Sequence, residues 1–306
     1  NKNPNKTVIY PDKWFGPKSP QEYKTIDLFP DEWVCLSEDL PLMEVNLVDE
    51  AFKHLENKSG KYSQVHRKIP KYITYVRDKQ NYDGVTLVTD NMVNTDFARS
   101  IVSTHKIAWL LECRNINPVS YNTFEEWKDN YDFVLTHDSE LLKNYPDITK
   151  LCNFGGTWIK NNNYGLHNKT KGFSMIYSHK NQTEGHRLRH QIASLFNEGI
   201  DLLGNGTPSP LACKEEGLVD YQYSIIIENV KLNDYFTEKL IDCLMVGTIP
   251  IYWGCPNISN YFDTNSILTF SNIEELNDII LSINDNTYDS KLPSIKHNLE
   301  EAKNYC

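Results

Sequence analysis

The chain has 306 residues, 40% of them hydrophobic and 12% aromatic, enough for one large or two ordinary domains with substantial cores, which excludes a disordered chain. A formal net charge of −10 excludes a typical nucleic-acid binder, whose affinity rests on Lys and Arg neutralising phosphates. No uninterrupted apolar run is long enough to cross a bilayer, so no membrane span is encoded within these residues.

In chain order, short apolar runs alternate with helical stretches, which predicts βαβ units and mostly parallel sheets. The first hundred residues carry no motif that can be placed, apart from the buried-type run VTLV at 85–88. Further strands are predicted at 107–111 (IAWLL) and 133–135 (FVL), with a helix opening at His137-Asp138-Ser139. TDNMVNTD at 89–96 reads as a turn rather than a metal loop. The polar, Gly- and Asn-rich passage NFGGTWIKNNNYGLHNKTKG, 153–172, breaks the pattern as a linker would. Beyond it the spacing predicts strands at 173–177, 200–203, 223–227, 249–253 and 267–270. Helices are predicted at 184–196, 237–246, 273–283 and 295–305.

The expected organisation is therefore two Rossmann-like halves: 1–155, a linker at 156–172, a second half at 173–290 and a C-terminal helix at 291–306. The chain begins at Asn1 and stops at Cys306 inside a helical pattern, which leaves open an anchor or tail beyond either end. Seven dispersed cysteines, an odd number with no CxxC pair, read as reduced core thiols and so as a cytoplasmic, reducing setting.

Chemistry concentrates in YSIIIENVKLNDYFTEKLIDCLMVGTIPIYWG, Tyr223 to Gly254. Ligands of open parallel sheets bind beyond the carboxyl ends of the strands, and Glu228 and Asn229 sit at such an end. Asp234 or Thr237 can cap the next helix, whose free N–H groups and positive dipole end suit a phosphate. Lys239 places a cation in that first turn, where the dipole alone disfavours it. The plainer alternative is a solvated loop with an ordinary cap and an exposed lysine.

In SHKNQTEGHRLRHQI, Arg187 and Arg189 fall in the early turns of a helix, and Arg187 can reach a diphosphate across the crevice. His186 and His190 have i, i+4 spacing but no third ligand in view, so a helix surface is the expected place for both. The acidic pairs Asp31-Glu32, Glu125-Glu126 and Glu215-Glu216 read as solvated surface, and no metal site is expected. In IAWLLECRNINP, Glu112 ends a buried run: it is either a general base facing the crevice or an edge glutamate paired with Arg114.

IENVKLNDYFTEKLIDCLMVGTIPIYWG closely resembles the core motif of the α-1,3/1,4-fucosyltransferases, glycosyltransferase family 10. That pattern has Glu-Asn closing a strand, a Tyr six residues on, Thr-Glu-Lys, a helix, and a Pro-containing strand ending in Gly. Here these are Glu228, Asn229, Tyr235, Thr237, Glu238, Lys239, Pro250 and Gly254. LLECRNINP resembles the segment carrying the general base, which implies that role for Glu112; the family places a Pro at or soon after this Glu, where Cys113-Arg114 intervene here. GHRLRHQI resembles the donor-site arginine helix, with Arg187 the first choice and Arg189 the second.

The resemblance, running from about residue 107 to 261, implies an α/β fold of GT-B type: two Rossmann-like domains facing a central cleft. It implies inverting transfer of L-fucose from GDP-fucose to a hydroxyl of a glycan acceptor, without an obligatory metal or other cofactor. Arg187 and Lys239 would neutralise the diphosphate, and Glu238, Tyr235 and Asn229 would engage ribose, fucose or phosphate oxygens. Another GDP-sugar as donor, or a non-catalytic nucleotide- or carbohydrate-binding protein, are the alternatives.

Overall fold

A computed structural model describes residues 43–50, 73–196 and 198–305. Cys35, Cys306 and the acidic pair Asp31-Glu32 lie outside the described residues. Strands β1 (Met43–Val48), β2 (Ile73–Arg77), β3 (Asn81–Thr89), β4 (Val102–Trp109), β5 (Phe133–Thr136) and β6 (Thr149–Leu151) form one six-stranded sheet in the order β2-β1-β3-β4-β5-β6. Every pairing in it is parallel. Helices α1 (Asp96–Ser100), α2 (Pro118–Asn122), α3 (Phe124–Trp127) and α4 (Ser139–Asn144) connect these strands.

The second sheet is built from β7 (Lys171–Ile176), β8 (Ile200–Leu203), β9 (Tyr221–Ile227), β10 (Ile249–Trp253) and β11 (Leu268–Thr269), in the order β11-β10-β9-β7-β8 and again parallel. Its helices are α5 (Glu184–Leu195), α6 (Glu238–Met245), α7 (Ile273–Ser282), α8 (Thr287–Ser290) and α9 (Leu292–Ala302). The α/β class and the two parallel sheets agree with the sequence reading.

Parallel sheets are covered on both faces, and the side-chain alternation shows it. Ile107 and Trp109 enter one apolar cluster while Ala108 and Leu110 enter another across the sheet. In β9, Tyr223, Ile225 and Ile227 face one cluster and Ile226 the opposite one. Continuous apolar runs are thus what a doubly covered strand requires. The five cysteines among the described residues are free thiols, four of them buried.

Strand order reverses twice. The chain builds β1 and β2, then returns to the far side of β1 with β3; it builds β7 and β8, then returns to the far side of β7 with β9. Such switch points open a crevice at the carboxyl ends of the flanking strands. Asp90 follows β3 and Glu228-Asn229 follow β9, so both sheets offer polar side chains there.

Among the elements that differ from expectation, three stretches matter most here. β1 and β2 lie in the stretch where no motif was placed. β4 stops at Trp109, two residues before its apolar run ends: the Leu110 N–H still reaches the Leu135 carbonyl of β5, but from Leu111 on the N–H groups turn to the side chain of Asp90, just past β3. The passage after residue 153 is not a free tether. Thr157 donates its hydroxyl to Asp242 Oδ1 at 2.8 Å and the Trp158 N–H reaches the same oxygen at 2.7 Å. Gly155, at φ +58, lies so close to Tyr305 that an added Cβ would meet it at 2.9 Å.

Candidate active site

The corner between β9 and α6 is organised around a buried carboxylate. Glu228 is fully buried, and its Oε1 accepts the Thr237 N–H at 2.8 Å while Oε2 accepts the Thr237 hydroxyl at 2.7 Å. Thr237 is the N-cap of α6. Glu228, tied to Thr237 through both oxygens and absent from the cleft lining, shapes the corner, as a buried charge needs partners. Lys239 Nζ sits 2.9 Å from Thr237 Oγ1, 3.2 Å from Glu238 Oε1 and 3.6 Å from Glu228 Oε2. Burial pulls the Lys239 pKa down, but Glu238 and Glu228 outweigh it and the net shift is upward. The ammonium stays charged.

Arg189 and Arg187 separate cleanly. Thr183 caps α5, and the face formed by Gly185, His186, Arg189 and Ile192 turns inward. An added Cβ on Gly185 would lie 1.8 Å from the Glu228 carbonyl oxygen, so only glycine allows this helix to sit against the end of β9. Arg189 is buried, donates to the Ile227 carbonyl through Nε at 3.2 Å, and reaches Asn229 Oδ1 at 3.2 Å. Arg187 is exposed and donates to the carbonyl of Gln182 on its own loop. The first-choice arginine lies off the cleft and the second choice lines it.

His186 is likewise not on a solvated surface. It is buried, shares a capping box with Thr183, and burial followed by the charge of Arg189 pushes its pKa down to about 4. It lines the cleft as a neutral ring. His190 meets the Lys180 carbonyl through Nε2.

From the first sheet, Glu112 enters the same cleft three residues past β4. The alternative pairing with Arg114 does not form. Arg114 grips Asp138 with Nε and Nη2 at 2.7 and 2.8 Å, reaches Glu140 at 3.1 Å, and stacks over Tyr121. Burial raises the Glu112 pKa above the ordinary carboxylate range, while Lys239 across the cleft pulls it back. Tyr235 is buried with its hydroxyl unpartnered, and its ring packs at 4.7 Å from that of His137.

Glu112, Arg189, Asn229, Tyr235, Thr237, Glu238 and Lys239 all line one cleft of about 490 Å³, between the carboxyl ends of the two sheets. That is room for a ligand larger than a monosaccharide. Sequence reading missed Lys180, Lys214 and Trp158, which also line it. Lys180 follows β7 at the switch point, a position that topology marks but no local motif does. Lys214 holds down the pKa of Glu238, after Lys239 itself. Among the described residues no group of three or more His, Cys, Asp or Glu is arranged to hold a metal ion.

The two arginines give a direct contrast. If the cleft holds the nucleotide diphosphate that the motif resemblance implies, Arg189→Ala is expected to weaken its binding by at least about tenfold, since truncating a buried, hydrogen-bonded cation typically costs more than that factor. Arg187→Ala is expected to leave it nearly unchanged. Titration calorimetry with GDP checks both, and an effect at Arg187 equal to that at Arg189 would contradict the geometry.

Residues 166–291 match the family pattern described as glycosyltransferase family 10 (fucosyltransferase), C-terminal part. An α-(1,3)-fucosyltransferase of Helicobacter pylori is 35% identical over 163 residues, which is 50% of this chain and 31% of that protein. The chain thus matches under a third of that relative's own length. Crystal structures of an α1,3-fucosyltransferase with GDP and with GDP-fucose share its fold, at TM-scores of 0.55 and 0.53 and identities of 18% and 17%. Each comparison covers 88% of this chain, and 91% and 92% of the respective solved chains. Two Rossmann-like parallel sheets facing a cleft are the GT-B arrangement. The second sheet thus matches the C-terminal part of glycosyltransferase family 10, and the chain shares the fold of solved α1,3-fucosyltransferases.

Proposed function

We propose that the protein is an inverting glycosyltransferase that moves L-fucose from GDP-fucose to a hydroxyl of a glycan acceptor. The observation that carries this reading is the convergence of one carboxylate from the first sheet with Lys239 and Arg189 from the second in a single cleft. Residues up to 155 would form the acceptor side and 173–290 the donor side. The names of the similar proteins, an α-(1,3)-fucosyltransferase and solved chains holding GDP or GDP-fucose, support this donor.

In this reading, the diphosphate lies against Lys239, Arg189 and the N-terminus of α6, with Glu238, Asn229 and the free Tyr235 hydroxyl turned to sugar or ribose hydroxyls. Glu112 accepts the proton of the acceptor hydroxyl as its oxygen attacks the anomeric carbon from the face opposite GDP, so the configuration inverts. GDP departs as its bridging oxygen gains negative charge, and the fixed cations stabilise that charge where it develops. These cations let the reaction run without a divalent metal.

A thermal-shift screen tests the donor, because a ligand that binds only the native state raises apparent stability. GDP and GDP-fucose, with chelator present throughout, are expected to raise Tm more than UDP, UDP-sugars or CMP-sialic acid. A larger shift with UDP-sugars would overturn the donor assignment, and a GDP shift that appears only on adding Mn²⁺ or Mg²⁺ would overturn metal independence.

A further inference from the structure

Glu112 lies beyond the last strand pair of β4, Thr89 with Trp109, where neither strand continues. Its backbone there is held by side chains. Asp90 Oδ1 accepts the N–H of Leu111 at 2.9 Å and that of Glu112 at 3.2 Å. From the other side, the Tyr121 hydroxyl donates to the Glu112 carbonyl at 2.7 Å. Asp90 is itself fixed, because Ser120 donates its hydroxyl to the Asp90 carbonyl at 2.8 Å. Asp90 is 8% exposed and adopts φ +39, the left-handed region that Asp and Asn tolerate better than other side-chain-bearing residues.

A carboxylate in this place is costly. Burial drives the Asp90 pKa to about 7, the charge of Glu112 raises it as well, and the two N–H bonds with the Asn117 side chain only partly offset them. A longer β3 would satisfy the Leu111 N–H from its own backbone, without a buried acid. It would also carry the chain after Trp109 straight on as strand, with side chains alternating between the sheet's faces, instead of turning residue 112 into the cleft.

We propose that Asp90, with Tyr121 on the opposite side, is a positioning residue for the transfer reaction: it caps the open end of β4 and so fixes the direction in which the Glu112 carboxylate enters the cleft. This inference rests on the reading of Glu112 as general base. A base misplaced by about 1 Å can cost on the order of 10² in rate, while donor binding, made by the other sheet, is unaffected.

The test compares kcat and GDP-fucose affinity in four variants, each normalised to folded protein by its GDP-binding stoichiometry. Asp90→Gly removes the acceptor without backbone strain and is expected to lower kcat on the order of 10² with donor affinity unchanged. Asp90→Asn keeps an Oδ1 acceptor and a tolerated left-handed backbone, and is expected to stay within a few-fold of the parent. In a Glu112→Gln background, Asp90→Gly should cause no further loss, since the two changes remove one function. If Asp90→Gly does not fold, Tyr121→Phe takes its place, with kcat lowered in the Glu112 parent and unaltered in the Glu112→Gln background.

Parent-like kcat in both Asp90→Gly and Tyr121→Phe, with Glu112→Gln slow, overturns the positioning role alone. An undiminished further loss in the Glu112→Gln background, or Asp90→Asn as slow as Asp90→Gly, overturns it too. Full turnover by Glu112→Gln overturns instead the reading of Glu112 as base.

Discussion

Glu112→Gln is expected to lower kcat for fucosyl transfer by about 10²–10⁴ while GDP-fucose affinity stays close to that of the parent. A sugar hydroxyl is far too weak an acid to ionise at neutral pH, so the attack gains from a carboxylate that takes the proton as the bond forms. Glutamine keeps the shape and most of the hydrogen-bonding reach but has no basicity. Donor affinity is expected to survive because Arg189 and Lys239, the cations proposed to hold the nucleotide, come from α5 and α6 beside the other sheet.

The pH profile sharpens this test. Burial raises the Glu112 pKa, and the base works only when deprotonated, so kcat should fall as pH drops through a limb lying above the ordinary carboxylate range. A bound diphosphate brings negative charge into the cleft and offsets Lys239, which pushes that limb higher in the donor complex than in the free protein. Glu112→Gln should abolish it. Steady-state turnover across pH, with fluorescence titration of donor, measures both quantities. Retained turnover with an unaltered acid limb would mean that another group takes the proton.

How far the sequence foretold this site depends on how local each part is. Glu228, Asn229, Tyr235, Thr237, Glu238 and Lys239 lie within a dozen consecutive residues joining one strand to one helix, so the corner is legible as a motif. Even there the motif does not separate ligand-facing groups from supports: Glu228 reads like a binding carboxylate, and only its two bonds to Thr237 reveal a structural one.

Arg187 and Arg189 differ by helical phase. With the helix opening at Glu184 after its Thr183 cap, Gly185, His186, Arg189 and Ile192 share the buried stripe and Arg187 does not, a phase that the helix start fixes. Asp90 was beyond reach. It acts on a residue 22 positions away through strand pairing that no local pattern displays. β1 escaped notice for a related reason. Its buried stretch contains Asn46, whose side chain bonds Thr86 and the Lys79 backbone, so the polar residue that interrupts the apolar pattern is satisfied only in the folded sheet.

Lys239→Ala is expected to lower kcat by about 10²–10³, the range seen when one preorganised donor to a developing anion is removed, and to weaken GDP-fucose binding as well. Both effects follow from the position of the ammonium. Glu228 and Glu238 hold it at the start of α6, with part of the side chain still open to the cleft. In the proposed reaction it attracts the diphosphate in the ground state and the departing GDP more strongly in the transition state, because charge accumulates on the bridging oxygen.

Removing the lysine does more than delete one attraction. The Glu228 carboxylate, fully buried, then loses its cation, and with Glu238 it repels the incoming phosphates. Lys239→Ala should therefore differ in kind from Glu112→Gln: it moves affinity and turnover together, where the base variant moves turnover alone. Lys239→Arg keeps the charge and is expected to recover binding better than rate, since a planar fork cannot reproduce a compact ammonium bound by three oxygens. Loss of the Glu228 counter-ion also lowers stability, so kinetics are compared per folded molecule and below the Tm of each variant. Parent-like kcat in folded Lys239→Ala would move leaving-group stabilisation to Arg189 and Lys214, and would leave Lys239 as no more than the counter-ion of the corner.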